Sequence, residues 1–226
     1  MLNRTNTDED TWHISYDNKK IKYLPMKIIC IGRNYAEHAK EMKADLPTEP
    51  VFFMKPDTAL LKEEDFYMPD FTKDLHHEIE LVLKVCKAGK HIEEQFAHKY
   101  YDEIGLGIDF TARDIQAKCK EKGLPWEKAK AFDNSAPIGS FVKKETLDIG
   151  NINFELKVNG QSRQIGNSKD LIFSFDKVIA YVSQFVSLKV GDLIYTGTPE
   201  GVAGVKIGDT LEGFLNNASL LKLTIK

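Results

Sequence analysis

The segment His76-His77-Glu78-Ile79-Glu80-Leu81-Val82-Leu83-Lys84-Val85 alternates between polar and apolar residues. Successive side chains of a strand leave on opposite faces. Ile79, Leu81, Leu83 and Val85 therefore predict a core face, while His76, Glu78 and Glu80 share the other, with the two carboxylates about 6.6 Å apart along the backbone. Two negative charges that close repel each other unless a cation, a proton or water relieves them. The same alternation in Gly105-Leu106-Gly107-Ile108-Asp109-Phe110 puts Asp109 opposite Leu106, Ile108 and Phe110, and the flanking glycines leave room for a ligand or another backbone. Three carboxylates converging on a cleft suit a hard cation such as Mg2+ or Mn2+, which keeps positions for water or substrate oxygens. Spacing alone is equally compatible with glutamates on the solvated face of an antiparallel strand.

Three further groups of residues could act beside such a centre. In Asn34-Tyr35-Ala36-Glu37-His38-Ala39-Lys40-Glu41, His38 and Glu41 are three apart and share one helical face. A carboxylate that orients an imidazole makes a general base for water; on a surface helix the same pair is also common without any function. A helix opening at Arg113 carries Arg113, Gln116 and Lys120 at spacings of three and four, on a face expected to lie opposite Ile115 and Cys119. Asp109, four residues upstream, places that helix start beside the carboxylates. Thr196-Gly197-Thr198-Pro199-Glu200-Gly201 is a strand-to-loop transition whose hydroxyls and N–H groups could hold a carboxylate, or a plain turn.

These residues need a scaffold. The 226 residues are 42% apolar and 29% charged, and 31 Lys and Arg against 34 Asp and Glu leave a net charge of −3, which excludes disorder and gives no basic excess for nucleic acid. No run approaches the roughly 20 apolar residues of a membrane-spanning helix. Cys30, Cys86 and Cys119 are odd in number and widely spaced, so they read as reduced thiols. Residues 1–25 have scattered apolar positions and none of the pattern of a signal or transit peptide; they read as a peripheral extension, with one domain over 26–226 and a cytoplasmic location.

Ile28–Ile31 predicts a buried strand ended by Gly32, followed by a helix from Tyr35 to about Met42 that Asn34 caps. Strands are expected at Val51–Met54, His76–Cys86, Gly105–Thr111, Ile152–Val158, Asp192–Thr196, Thr210–Phe214 and Leu220–Ile225. Asn159-Gly160 signals a two-residue hairpin. Helical periodicity marks Glu93–Tyr101, Arg113–Glu121 and Asp176–Val186. The sum is a β-rich α+β domain. No GxSxG, Walker, HExxH or GxGxxG motif is present.

Taken in order, Ile31-Gly32-Arg33-Asn34-Tyr35, Phe53-Met54-Lys55-Pro56, His77-Glu78-Ile79-Glu80-Leu81, Gly107-Ile108-Asp109-Phe110-Thr111-Ala112-Arg113-Asp114, Lys122-Gly123-Leu124-Pro125-Trp126, Ala129-Lys130-Ala131-Phe132 and Thr196-Gly197-Thr198-Pro199 resemble the fumarylacetoacetate hydrolase family. The resemblance runs from Met26 nearly to the C-terminus, and the length and the Asn-Tyr-x-x-His-x-x-Glu block resemble its short acylpyruvase/oxaloacetate decarboxylase branch. It implies the mixed β-sandwich roll of the family's C-terminal domain, a homodimer, and Mg2+ or Mn2+ on Glu78, Glu80 and Asp109. It further implies a lid bearing the catalytic residues His38 and Glu41, a catalytic Lys130, and substrate contacts from Arg113, Gln116 and Thr198. The implied activity is cleavage of the C3–C4 bond of 2,4-dioxo acids, decarboxylation of oxaloacetate, or both, through a stabilised pyruvate enolate. An isomerase or tautomerase of 2-oxo acids would use the same site, and a non-catalytic oxo-acid-binding β-roll would not need His38 and Glu41 as a pair.

Overall fold

The computed structural model describes residues 4–5, 12–16, 19–23, 27–41 and 45–226. Its central feature is a seven-stranded sheet in the order Val51–Lys55, Ile28–Gly32, Leu193–Tyr195, Ile79–Val85, Tyr101–Ile108, Ala136–Lys143 and Leu60–Leu61. Neighbours run antiparallel except for Leu193–Tyr195 beside Ile28–Gly32 and Ala136–Lys143 beside Leu60–Leu61. A five-stranded sheet, in the order Gln161–Asn167, Asn153–Val158, Thr210–Leu215, Ala218–Ile225 and Asp65–Phe66, packs against one face. Ile79, Leu81 and Leu83 meet Leu156, Leu211, Leu221 and Leu223 in that core. A Cβ on Gly213 would come within 3.3 Å of Ile79 Cδ1 and Leu106 Cδ1, so the glycine sets how closely the two sheets approach. The amphipathic helix Phe175–Phe185, capped by the Ser174 hydroxyl, buries Val178, Ile179 and Val182 in the same core.

The opposite face of the large sheet is also covered. Val82, Ile28, Cys30, Leu193 and Tyr195 form a second apolar cluster there. The Ile79–Val85 strand is consequently buried on both sides, with only Lys84 partly exposed. This is the burial of an internal sheet rather than the half-wet strand that alternation suggests. A third, small sheet pairs Leu75–His77 with Thr111–Ala112 on one side and Ala203–Gly204 on the other.

Most expected elements fall within a residue or two of their place, and Asn159 (φ 53°) and Gly160 (φ 76°) turn the hairpin between Asn153–Val158 and Gln161–Asn167. The differences have local causes. The strand expected over His76–Cys86 breaks at Glu78 into Leu75–His77 and Ile79–Val85, which pair in different sheets. The helix expected over Glu93–Tyr101 is only Glu94–Ala97, because Tyr101 opens the next strand opposite Val85 and the Tyr100 carbonyl accepts the Cys86 N–H at 2.9 Å. The lid helix runs over Ala36–Glu41, and its expected end at Met42 lies outside the described residues, as does the domain start at Met26. Arg4–Thr5, Trp12–Tyr16 and Lys19–Tyr23 form a three-stranded antiparallel sheet of their own, where no element was anticipated.

Candidate active site

Glu80 lies opposite Gly107 in the ladder between the Ile79–Val85 and Tyr101–Ile108 strands, and Ile79 lies opposite Ile108. One step further the ladder ends: the Asp109 N–H still donates to the Glu78 carbonyl at 2.8 Å, but the Phe110 N–H turns to the Ser135 carbonyl at 2.9 Å. Glu78, Glu80 and Asp109 therefore emerge together where two strands splay apart. Their carboxylate oxygens lie within 4.8 Å of one another, and all three side chains are buried.

Three cations are drawn to this cluster. Lys130 Nζ bridges Glu78 Oε2 and Asp109 Oδ2 at 2.8 Å each, and Arg113 Nη2 meets Glu78 Oε1 at 2.5 Å. Lys55, at the end of an outer strand, is 1% exposed and places its Nζ 2.7 Å from Asp109 Oδ1. Its hydrogen bonds go to the Ser135 carbonyl at 2.7 Å and to Ser135 Oγ at 3.1 Å, so Asp109 Oδ1 has a close charge but no well-directed hydrogen bond. Burial by itself would raise the Glu78 carboxyl, but Lys130, Arg113 and His38 outweigh it and hold Glu78 far below the carboxylate range. Glu80 goes the other way. Burial and the charges of Asp109 and Glu78 push its carboxyl well up, against the opposing Gly197 N–H bond of 2.6 Å. Burial works against the Lys130 ammonium too, but Asp109 and Glu78 overcome it and raise that group.

This donor set fits a hard divalent cation. It is oxygen-rich and buried, one carboxylate oxygen lacks a directed partner, and the Glu80 charge is poorly compensated by protein groups.

The helix Ala36–Glu41 borders the cluster. His38 is buried, and its Nδ1 sits 3.1 Å from Glu41 Oε2, while Glu41 Oε1 accepts the Gly201 N–H at 3.2 Å. A cavity of about 50 Å3 is lined by His38, Glu78, Glu80, Asp109, Arg113, Gln116, Lys130 and Thr198, with Arg33, Lys120, Phe53 and Trp126 among its other walls. Every expected site residue except Glu41 thus lines one cavity, and Glu41 reaches it through His38.

Four expectations need correcting. Asn34 does not cap the lid helix: its Oδ1 accepts the Phe173 N–H at 2.7 Å and its Nδ2 donates to the Phe173 and Thr196 carbonyls, so it staples the root of the lid to two other segments. Gly107 leaves room for the Tyr195 ring rather than for a ligand, since a Cβ there would lie 2.5 Å from it. Gln116 and Cys119 are both buried, so they share the inward face of their helix instead of opposing faces. The Thr196–Gly201 loop does hold carboxylates, but they are the chain's own: Glu80, bound by the Gly197 N–H, and Glu41, bound by the Gly201 N–H. Gly197 has φ 104°, and a Cβ would lie 2.7 Å from Asn34 Cβ, so only glycine fits.

Two supporting residues escaped the sequence reading. Gln164 Oε1 accepts from His77 Nδ1 and the Ile79 N–H, and its Nε2 donates to Thr198 Oγ1 and the Pro199 carbonyl, tying the strand break to the loop. No local pattern marks it. Lys55 stands in the Phe53-Met54-Lys55-Pro56 block of the family resemblance, but no role is assigned to it there.

The sheets and the carboxylate centre define a member of an enzyme family: residues 27–226 match the model of the fumarylacetoacetate (FAA) hydrolase C-terminal domain, and the chain belongs to that family. Among its relatives, the mitochondrial oxaloacetate tautomerase FAHD1 of Homo sapiens is 44% identical over 201 residues, covering 88% of this chain and 90% of the relative. The oxaloacetate tautomerase YcgM of Escherichia coli K12 is 40% identical over 211 residues, covering 92% and 96%. A fumarylpyruvate hydrolase of Pseudomonas aeruginosa, solved with Mn2+ and pyruvate, superposes with a TM-score of 0.85 at 34% identity over 99% of both chains.

Proposed function

We propose that this protein is a divalent-metal-dependent enzyme that converts small 2-oxo and 2,4-dioxo acids through their enolates. Its reactions are enol–keto exchange or decarboxylation of oxaloacetate and hydrolysis of acylpyruvates at C3–C4. The observation that carries the reading is one cavity lined by three buried carboxylates and by the imidazole of a His–Glu pair. The sequence reading put C–C cleavage first and tautomerisation second; the two tautomerase relatives favour enol–keto exchange of oxaloacetate as the leading activity.

Mg2+ or Mn2+ held by Glu78, Glu80 and Asp109 would supply positive charge where the enolate oxygen develops its negative charge. The remaining steps belong to the chain. Arg113 spends Nη1 on Gln116 Oε1 and Nη2 on Glu78, which fixes its guanidinium beside the carboxylates as a positive charge for a substrate oxygen. Thr198 donates its hydroxyl to the Ile79 carbonyl, so it forms wall rather than donor. With Nδ1–H given to Glu41, His38 keeps its lone pair on Nε2, where it can take a proton from C3 in tautomerisation or from water in hydrolysis. Lys130 is held protonated by two carboxylates, so it acts as a fixed positive charge and not as a base. Lifting of the helix that carries His38 would widen the way in for substrate, and its return would exclude water.

The test is a panel of oxaloacetate, acetylpyruvate and fumarylpyruvate with Mg2+, with Mn2+ and after exhaustive chelation, following enol–keto exchange beside cleavage. Full turnover without metal, or tight binding with no turnover, overturns the reading. The homodimer implied by the family resemblance belongs to the same proposal, and a monomer in sedimentation equilibrium would remove it. So does a cytoplasmic location, which rests on three unpaired cysteines and is checked by cell fractionation.

A further inference from the structure

Four cationic side chains line the cavity, and the carboxylates engage only two of them. Arg113 and Lys130 are committed to Glu78 and Asp109. Arg33 and Lys120 line the same cavity and form no ion pair among the described residues. Neither has a part in the metal centre or in the proton transfer described above.

Both are held where they are. Arg33 stands between Gly32 and Asn34 with φ 59°, a left-handed conformation that costs an arginine energy and persists only when its surroundings impose it. The imposing element is Asn34, pinned by three hydrogen bonds to the Phe173 and Thr196 segments. Lys120 lies on the same helical face as Arg113 and Gln116, two turns and one turn away. Its ammonium packs 5.8 Å from the centre of the Trp126 ring, and Trp126 in turn rests edge-on against Phe53. Burial lowers the Lys120 ammonium, and so do the like charges of Arg113, Arg33 and Lys130, which places these cations in one mutually repelling group. Arg33, half-buried, and Lys120, exposed at the rim, therefore bring two unpaired positive charges to one cavity, where an anion can meet both.

We infer that Arg33 and Lys120 form a second anion subsite that binds the distal carboxylate of a dicarboxylic 2-oxo acid, and so set the preference for oxaloacetate-type substrates over monocarboxylic acylpyruvates. The inference rests on the proposed oxo-acid chemistry and deepens it. The 2-oxo acid end occupies the carboxylate-lined end of the cavity, where Arg113 and the cation lie. The far carboxylate then meets a planar fork and a point charge walled by Trp126 and Phe53. A methyl ketone in that place forgoes both charge contacts, so the site favours the ligand that carries the matching carboxylate.

Arg33→Gln and Lys120→Gln, singly and together, test this in the full-length enzyme loaded with Mn2+. The readouts are kcat/KM for oxaloacetate and for acetylpyruvate, and the calorimetric affinity for oxalate, which is too short to reach the second subsite. Each single change should lower the oxaloacetate-to-acetylpyruvate ratio of kcat/KM about tenfold and the double change more, mostly through KM for oxaloacetate, with oxalate affinity within twofold of wild type. Arg33→Lys should restore part of the ratio, which a purely conformational role for Arg33 would not. An unchanged ratio overturns the inference, and so does a parallel loss for both substrates together with oxalate, which would place the two residues in the metal centre. If the wild-type enzyme turns over neither acid, the proposed function fails by itself. Displacement of oxalate by 2-oxoglutarate against 2-oxopentanoate then decides the subsite, because a preference for the dicarboxylate that survives the double change removes it.

Discussion

At the residue scale, the site is a contest between buried charges. Glu80 is the least compensated of the three carboxylates, with the Gly197 N–H as its hydrogen-bond partner and two negative neighbours. Its carboxyl is raised in the folded protein, so as pH rises through the ordinary glutamate range the unfolded chain loses its proton first. The Glu80 contribution to metal-free stability therefore declines with rising pH, opposite in sign to that of Glu78, whose depressed carboxyl adds stability over the glutamate range, and bound metal reverses the Glu80 trend. Glu80→Gln should raise the Tm of the chelated protein near neutral pH. It should also abolish the Mn2+-induced gain, which for the wild type is about 2.7 kcal/mol at a hundredfold excess over Kd. Thermal melts with and without metal read both, and an undiminished Mn2+ shift in the variant would remove Glu80 from the metal. His38 is tested separately. His38→Ala should slow acylpyruvate hydrolysis at least about a hundredfold, since a positioned base contributes roughly 10²–10⁴-fold. Oxaloacetate decarboxylation, which needs charge stabilisation but no activated water, should fall much less. Equal losses with unchanged metal content would assign the imidazole to holding the lid.

At the scale of elements, the lid is fastened at both ends. Asn34 staples its root, and Glu41 joins its far end to Gly201 while orienting His38. Asn34→Ala strands three buried backbone groups, each worth about 1–3 kcal/mol when left unpaired. With relaxation and water offsetting part of that, a loss of roughly 2–3 kcal/mol, or about 5–10 °C in Tm for a chain of this size, is expected. Differential scanning calorimetry checks it, and an unchanged Tm would show that the staple carries little. Glu41→Gln keeps an acceptor for Gly201 but removes the charge beside His38. It should reduce kcat while leaving KM near wild type, whereas a change mainly in KM would mark Glu41 as a latch rather than a partner of the imidazole.

At the scale of the molecule, the residues of the candidate site come from segments spread over most of the chain, from His38 to Thr198, and line one cavity. The family match begins at residue 27, and among the described residues the three strands within residues 4–23 pair only with one another. None of the described cavity residues lies in that segment. A chain beginning at Met26 should therefore keep kcat and KM within twofold in the oxaloacetate assay. A large loss of kcat would show that the N-terminal sheet supports the site.

Alternation placed Glu78 and Glu80 on one face of their strand and Asp109 opposite the apolar face of its own, because a period of two is a local property of the chain, but the family resemblance was needed to assign them to a metal. The i,i+3 spacing did the same for His38 and Glu41, and Asn159-Gly160 for its hairpin. Local pattern also mistook the surroundings. It read a helix cap where Asn34 reaches Phe173, and ligand space where Gly107 admits Tyr195. Those two partners lie 139 and 88 residues away in sequence, and no short window contains them. Lys55 beside Asp109 and Gln164 between the strand break and Thr198 belong to the same category. The sequence by itself determined which groups can do chemistry and the period of the elements that carry them. Tertiary structure decided which of those groups are buried together, and so which charges are compensated and which are not, because burial and charge proximity are set by packing between distant segments.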